Sequence, residues 1–329
     1  MFCSALGLHY LCNGYAKLSH MKKFLLLLCL TLSVVACSKE DSNKEEAIIV
    51  NNPLPKEPQE LKILAIGNSF TEDATQYLPS ILSAAHIKNV TIARLLNGGL
   101  SLENHWNYYS GDSTSYFYQK TNPETNMWYK VESGYSISKA IADEKWDIIV
   151  LQQVSYLAGK YESYQPHLNK IRKALLQLST NSKVCFAWQM TWAYAKNCTQ
   201  AGFANYNNDQ LTMYKAIANA TQLMKKGSGI DVIIPSGTAL QNLRNTTLND
   251  APYDLTRDGY HSDLGAGRYV EACTWFLTLI KPCLSAYNIE GNTFRPTDGK
   301  VLVNNNNVQL IWKAAQKAVQ NPYEISDLN

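Results

Sequence analysis

The sequence predicts an α/β protein, a three-layer α/β/α sandwich around a five-stranded, mostly parallel sheet of flavodoxin-like type. Three observations carry that class. Short apolar segments alternate along the chain with segments of helical periodicity. The strand segments are apolar throughout rather than at every second residue, the pattern of strands covered on both faces. Turns rich in glycine and amides follow several strand ends, the edge at which open parallel sheets hold their ligands.

Leu61-Lys62-Ile63-Leu64-Ala65-Ile66-Gly67 is the first strand, closed by a turn. Ala74, Tyr77, Leu78, Ile81, Leu82 and Ala85 then recur at helical spacing. Val90 to Leu96 is the second strand and ends at Asn97-Gly98-Gly99. The polar stretch from Gly111 to Glu132, rich in Tyr, Asn and Ser, reads as an insertion at the ligand-binding end or a surface excursion. Asp147 to Leu151 is the third strand, followed by Gln152-Gln153 and a helix faced by Leu168, Ile171, Leu175 and Leu178. Val184 to Trp188 is the fourth. A helix from about Asp209 to Lys226 turns Met213, Ile217 and Met224 inward, and Ile230 to Ile234 is the fifth strand. A helix near Ala266–Ile280 completes a domain expected over residues 61–285, and residues 286–329 form a C-terminal extension with a helix near Val308–Val319.

The 329 residues are 46% hydrophobic, enough to bury a large core. Residues 1–36 hold Lys17, Lys22 and Lys23 and no acidic residue or arginine, so removing them from 30 basic and 27 acidic side chains leaves 27 of each. A neutral body without a cationic stripe gives no basis for binding nucleic acid.

The amino-terminal segment reads as an address. Met21-Lys22-Lys23 precedes an apolar run from Phe24 to Ala36 that is short for a membrane span, and Val34-Val35-Ala36-Cys37 has the form of a bacterial lipobox. Residues 1–36 are therefore expected to be a signal peptide, with translation starting at Met21. Cys37 is the expected lipid-bearing residue and the only link to a membrane. Ser38-Lys39-Glu40-Asp41 with Lys44-Glu45-Glu46 resembles the acidic export signal of bacterial surface lipoproteins. Residues 38–60, with Pro53, Pro55 and Pro58, are expected to be a flexible tether in an exported, outer-membrane-anchored, surface-exposed protein.

Four cysteines come after the anchor: Cys185, Cys198, Cys273 and Cys283. An exported location permits disulfides, with three possible pairings, although Cys185 lies in an apolar strand where a buried free thiol is the simpler reading. No Cys/His spacing suggests a metal, and none of the motifs calls for a cofactor.

Gly67-Asn68-Ser69-Phe70-Thr71 places a serine hydroxyl in the turn after the first strand. Ser69 followed by Glu72 also fits a capping box, in which the hydroxyl only terminates the helix. Four histidines lie beyond residue 37: His86, His105, His167 and His261. Of these, His261 stands in Arg257-Asp258-Gly259-Tyr260-His261, where Asp258 can fold back to hold the imidazole as a general base for a serine. An incidental surface turn is the alternative for that motif alone; the two motifs together, on strand-end loops, point to nucleophilic catalysis.

At these residues the sequence resembles the SGNH (GDSL-like) hydrolase superfamily, in a bacterial lipoprotein subgroup, over roughly Leu61 to Leu279. Gly67-Asn68-Ser69 resembles the nucleophile block, Gly98-Gly99 the glycine block and Asp258-Gly259-Tyr260-His261 the Asp-x-x-His block. The resemblance implies a metal-independent triad of Ser69, Asp258 and His261, with the Ser69 and Gly99 amides in the oxyanion hole. The third block departs: Leu151-Gln152-Gln153-Val154-Ser155 stands where the family has Gly-x-Asn-Asp. A glutamine amide offers the same donor, so Gln153 is the expected third member, with Gln152 as the alternative.

The resemblance implies a serine ester hydrolase acting on a small-molecule or glycan ester, with an acetyl or other small acyl group on carbohydrate as the expected substrate. Trp188-Gln189-Met190-Thr191-Trp192-Ala193-Tyr194 and Asn104-His105-Trp106 are candidate sugar contacts. A glycan-binding lipoprotein without turnover, or a lipase or acyltransferase with the same triad, are the alternatives.

Overall fold

The computed structural model describes residues 50–328; the expected signal peptide, Cys37 and the tether up to residue 49 lie outside the described residues. The sheet has seven strands in the order β4-β3-β2-β1-β5-β6-β7. These are β1 (Leu61–Gly67), β2 (Val90–Leu96), β3 (Tyr116–Asn122), β4 (Met127–Tyr135), β5 (Ile148–Leu151), β6 (Cys185–Gln189) and β7 (Val232–Ile234). The five expected strands are β2, β1, β5, β6 and β7; they pair in parallel, and their order reverses between β1 and β5. Their residues are almost all buried, as continuous apolar runs require.

The strand count of five is corrected by β3 and β4. The stretch read as an insertion or surface excursion is a hairpin that adds antiparallel to β2. Tyr116 and Tyr118 face inward at the period of two of a one-sided strand, and after a register shift at Tyr118/Gln119 Thr121 does so again, while the residues between them are half-exposed. Its polar alternate positions hid it.

Two sets of helices cover the sheet. One contains α1 (Ser69–Thr75), α2 (Leu78–Ala84), α7 (Ser236–Arg244), α8 (Ala266–Trp275) and α10 (Val308–Gln320), which pack on one another. The other contains α3 (Leu102–Ser110), α4 (Ile137–Asp143) and α5 (His167–Leu178), which do likewise; α6 (Gln210–Ser228) packs beside the α5 approach. The single helix expected over Ala74–Ala85 is two, broken at Gln76-Tyr77, with Pro79 in the first turn of the second. The helix from Ala266 continues through a π-turn, Phe276–Ile280, into a last turn, α9 (Lys281–Cys283).

Both expected boundaries of the central domain shift. Residues 51–60 are docked rather than free: the Asn51 amide pairs with both the N–H and the C=O of Phe186, each at 2.9 Å, and Glu57 N–H donates to Cys283 O at 2.8 Å. The C-terminal extension is part of the same body. Ala314 O accepts from the Asn242 side chain at 3.2 Å, Ser326 N–H donates to Asn242 Oδ1 at 2.7 Å, and Trp312 donates to the Tyr269 hydroxyl at 3.1 Å. The four cysteines are free thiols, and burial pushes Cys185 and Cys283 each up to about 12.

Candidate active site

Ser69 follows β1 at the carboxyl edge of the sheet, where the strand order reverses. The helix cap is its neighbour. Asn68, in extended backbone, accepts from Phe70 N–H through Oδ1 at 3.0 Å. Ser69 is thus the first helical residue, and its hydroxyl is not consumed as a cap. It lies 2.8 Å from His261 Nε2.

His261 is held by a tight turn. An antiparallel bridge joins Thr256 to Ser262, and Arg257 N–H donates to His261 O at 2.9 Å. Asp258 Oδ1 accepts from the amides of Tyr260 (3.2 Å) and His261 (2.8 Å), leaving Oδ2 2.6 Å from His261 Nδ1. Gly259 takes φ of 95°, and a Cβ there would also come within 3.0 Å of Cys198 Cα, so the turn requires glycine.

Partial burial would raise the Asp258 carboxyl, but the His261 side chain and the two backbone amides outweigh it and hold the group below the usual carboxylate range. An ionised carboxylate only accepts, so Nδ1 carries a hydrogen, and the neutral imidazole in that tautomer presents the Nε2 lone pair to Ser69. Two residues 192 positions apart and a third beside the second form one hydrogen-bonded chain. This arrangement can take a proton from the Ser69 hydroxyl as Oγ attacks an electrophile.

Residues 62–318 match the DUF4886 family, described as a domain of unknown function. The chain belongs to that family. A DUF4886 family protein from Bacteroides uniformis ATCC 8492 is 35% identical, with a TM-score of 0.73, over 82% of this chain and 98% of that one. An acetylxylan esterase, Axe2 from Geobacillus stearothermophilus, matches at 11% identity and a TM-score of 0.45, over 68% of this chain and 96% of its own. An alpha/beta hydrolase enzyme from the metagenome of Lake Arreo, Spain, matches at 12% identity and a TM-score of 0.44, over 68% and 96%. No curated protein matches the chain. This DUF4886 protein has a parallel core in flavodoxin-like order, with a serine after the first strand and an Asp-x-x-His turn before α8.

The two glutamines of the third block are held by other partners. Gln153 Nε2 donates to Ser163 O (3.1 Å) and Oγ (3.0 Å), and its Oε1 accepts from the amides of Leu102 (3.0 Å) and Val154 (2.9 Å). Both ends of that side chain are spent bracing loops. Gln152 is committed as well: Oε1 accepts from Thr71 Oγ1 and Nε2 donates to Asn68 Oδ1, each at 2.7 Å. A Cβ on Gly67 would sit 2.1 Å from Thr71 Oγ1, so the glycine before Asn68 makes room for this network. The glutamines shape the nucleophile turn from behind. Among the described residues, the backbone amides of Ser69 and Gly99 enter no turn or loop hydrogen bond, and both residues line the cavity at the serine.

That cavity is about 450 Å³, a size suited to a small ligand. Its lining also includes Gly98, Val154, Ser155, Tyr156, Tyr194, Gln200 and Tyr260. Ser155 Oγ and Tyr194 OH lie 2.9 Å apart, and Tyr260 packs on His261 with ring centroids 4.1 Å apart.

Of the expected aromatic contacts, Tyr194 lines the cavity and Trp106 is half-buried outside its lining, whereas Trp188 and Trp192 are core residues. Trp188 and Trp192 are buried; Trp192 stacks on Phe70 at 4.3 Å and donates to Tyr260 O at 2.8 Å, buttressing the site from below. His105 is buried against the Tyr116 hydroxyl at 2.8 Å, and burial pushes it down to about 4, which makes it structural. Ser155, Tyr156 and Gln200 escaped sequence reasoning because they lie on the loops after β5 and β6, where no periodicity marks the face a side chain takes.

Proposed function

We propose that this protein is a serine ester hydrolase that removes an acetyl or similarly small acyl group from a carbohydrate. The observation that carries the reading is the position of His261, 2.8 Å from Ser69 Oγ on one side and 2.6 Å from Asp258 on the other. Ser69 Oγ attacks the acyl carbonyl while His261 Nε2 takes its proton. The oxyanion is received by the Ser69 and Gly99 amides. His261 returns the proton to the leaving alcohol, and water, deprotonated by the same imidazole, releases the acyl group.

The two-amide oxyanion hole follows from the commitment of Gln152 and Gln153 elsewhere. One missing donor costs about 10²–10³ in kcat, so a slow enzyme is expected. Phenol hydroxyls and the Gln200 amide around the serine favour a polyhydroxylated leaving group over an acyl chain. An anchor at Cys37 and a cell-surface location belong to the same proposal. Asn51 and Asn52 dock at the amino end of β6, the edge opposite the serine, so the chain enters the body away from the catalytic cavity.

The test is hydrolysis of p-nitrophenyl esters of increasing chain length and of acetylated glycans, with labelling by a fluorophosphonate. Labelling that Ser69→Ala abolishes, and kcat/KM falling at least about tenfold from acetyl to octanoyl, are expected. Equal labelling of Ser69→Ala would sink the mechanism, and a preference for octanoyl would sink the carbohydrate ester.

A further inference from the structure

We infer that Asp73 is a positioning residue for this site: from the helix that carries Ser69, its carboxylate grips both ends of the Asp258–His261 turn and so sets the spacing of serine and histidine. The inference rests on the Ser69–His261 reading and deepens it.

Asp73 is 0% exposed and lies one helical turn beyond Ser69. Its Oδ1 accepts from Arg257 Nη1 at 3.0 Å and from Arg268 Nε at 2.8 Å, and lies 2.6 Å from Arg268 Nη2 as an ion pair. Its Oδ2 accepts from Arg257 Nη1 at 2.9 Å and from Ser262 N–H at 3.1 Å. Arg257 immediately precedes Asp258, and Ser262 immediately follows His261. Arg257 Nη1 also donates to Ser262 O at 2.5 Å, closing the ring. One side chain of α1 is therefore bonded to the residue on each flank of the catalytic turn, and through Arg268 to α8.

None of these groups lines the cavity at the serine. A buried ion pair is a weak source of stability, since apolar groups of similar volume often serve as well. Its use here is geometric. Ser69 and His261 belong to elements far apart in sequence, and general-base catalysis tolerates little error in their separation. Three hydrogen bonds to the flanks of the turn, two from Arg257 Nη1 and one from Ser262 N–H, hold that register where packing alone would let the turn slide, and the Arg268 pair ties the same carboxylate to α8. The neighbouring carboxyl does not compete for the arginines. Glu271 is buried, bonded to the Ser262 hydroxyl, and raised well above the carboxylate range by burial and by Asp73.

The experiment is proton NMR of the full chain, following the low-field signal of the His261 Nδ1–H bond to Asp258, identified by its absence in His261→Ala. It is read beside kcat and KM on p-nitrophenyl acetate. In Asp73→Asn the signal is expected to vanish or shift, with kcat down about 100-fold and KM within about twofold, as for an Ångström-scale misplacement. Arg257→Gln, which spares the Arg268 pair and removes a partly exposed residue, is expected to change both in the same direction by about tenfold in kcat. Should Asp73→Asn not fold, Arg257→Gln decides. An unchanged signal with kcat within about twofold in a folded variant overturns the inference. If the native protein shows the signal but hydrolyses no ester, the esterase reading fails while the signal alone still decides the role of Asp73.

Discussion

The two ends of the sheet each hold a cavity, and the larger of these two lies at the end away from Ser69. At the amino end about 590 Å³ is bounded by Asn52 to Pro55, Lys62, Lys145, Asp147 and Lys183. There the charges answer one another: Lys62 pairs with Glu144 at 2.7 Å and Glu60 at 3.2 Å, and Asp147 accepts from Lys62 N–H at 2.9 Å. At the carboxyl end a cavity of about 450 Å³ is lined by the Ser69 hydroxyl and the His261 imidazole, with the Asp258 carboxylate behind the imidazole in series. Volume does not distinguish the two; convergence of groups with different proton affinities does.

Substitutions at each end can break that contrast. The largest effect is expected from Ser69→Ala, which should lower kcat for p-nitrophenyl acetate by on the order of 10⁴-fold or more. Retained turnover would move the site elsewhere. Asp258→Asn should cost about 10²–10⁴ in kcat with little change in KM, because the wrong tautomer of His261 then faces Ser69. The lower part of that range is expected, as the Asp258 side chain is 40% exposed and water can partly replace it.

Gln153→Ala separates a loop brace from an oxyanion donor. As a brace its loss should lower stability by about 2 kcal/mol in urea denaturation, with kcat of the folded variant within about threefold. A drop of about 10²–10³ in kcat would restore Gln153 as an oxyanion donor.

Glu271 tests the buried cluster behind the turn through pH. Its folded-state pKa is raised by burial and by Asp73, so its contribution to stability is full below the unfolded value. That contribution declines as pH climbs toward the folded value, by about 1.4 kcal/mol per unit. Glu271→Gln should therefore gain on the native protein in urea midpoint between pH 5 and pH 8, and a difference that stays flat with pH would contradict the assignment. At the amino end, Lys145→Ala and Lys183→Ala should leave kcat and KM within about twofold. A larger change would make that cavity part of the function.

Much of this was legible in advance because it is local. Five apolar strands and the helices after them carry their own periodicity, and Asp258 reaches His261 within one turn. The hairpin of β3 and β4 was hidden because a strand with one wet face, such as Tyr116–Asn122, has the composition of a loop. Asn68 rather than Ser69 caps α1, since two neighbouring polar residues offer the same cap and only the direction of the entering strand chooses between them. Gln152 and Gln153 carry amides of identical chemistry, and their partners, Asn68, Thr71, Leu102 and Ser163, come from other segments of the chain.

The sequence by itself determined the fold class, the parallel core and the two motifs bearing Ser69 and the Asp258–His261 turn, because periodicity and short-range turns are properties of neighbouring residues. Only the tertiary structure decided that Ser69 is free of the cap, that the glutamine amides are bonded to neighbouring segments, and that Asp73 binds the nucleophile helix to the histidine turn. Each depends on which of several chemically equivalent partners the packed chain brings within about 3 Å, and hydrogen-bond geometry, unlike hydrophobic pattern, is not written along the chain.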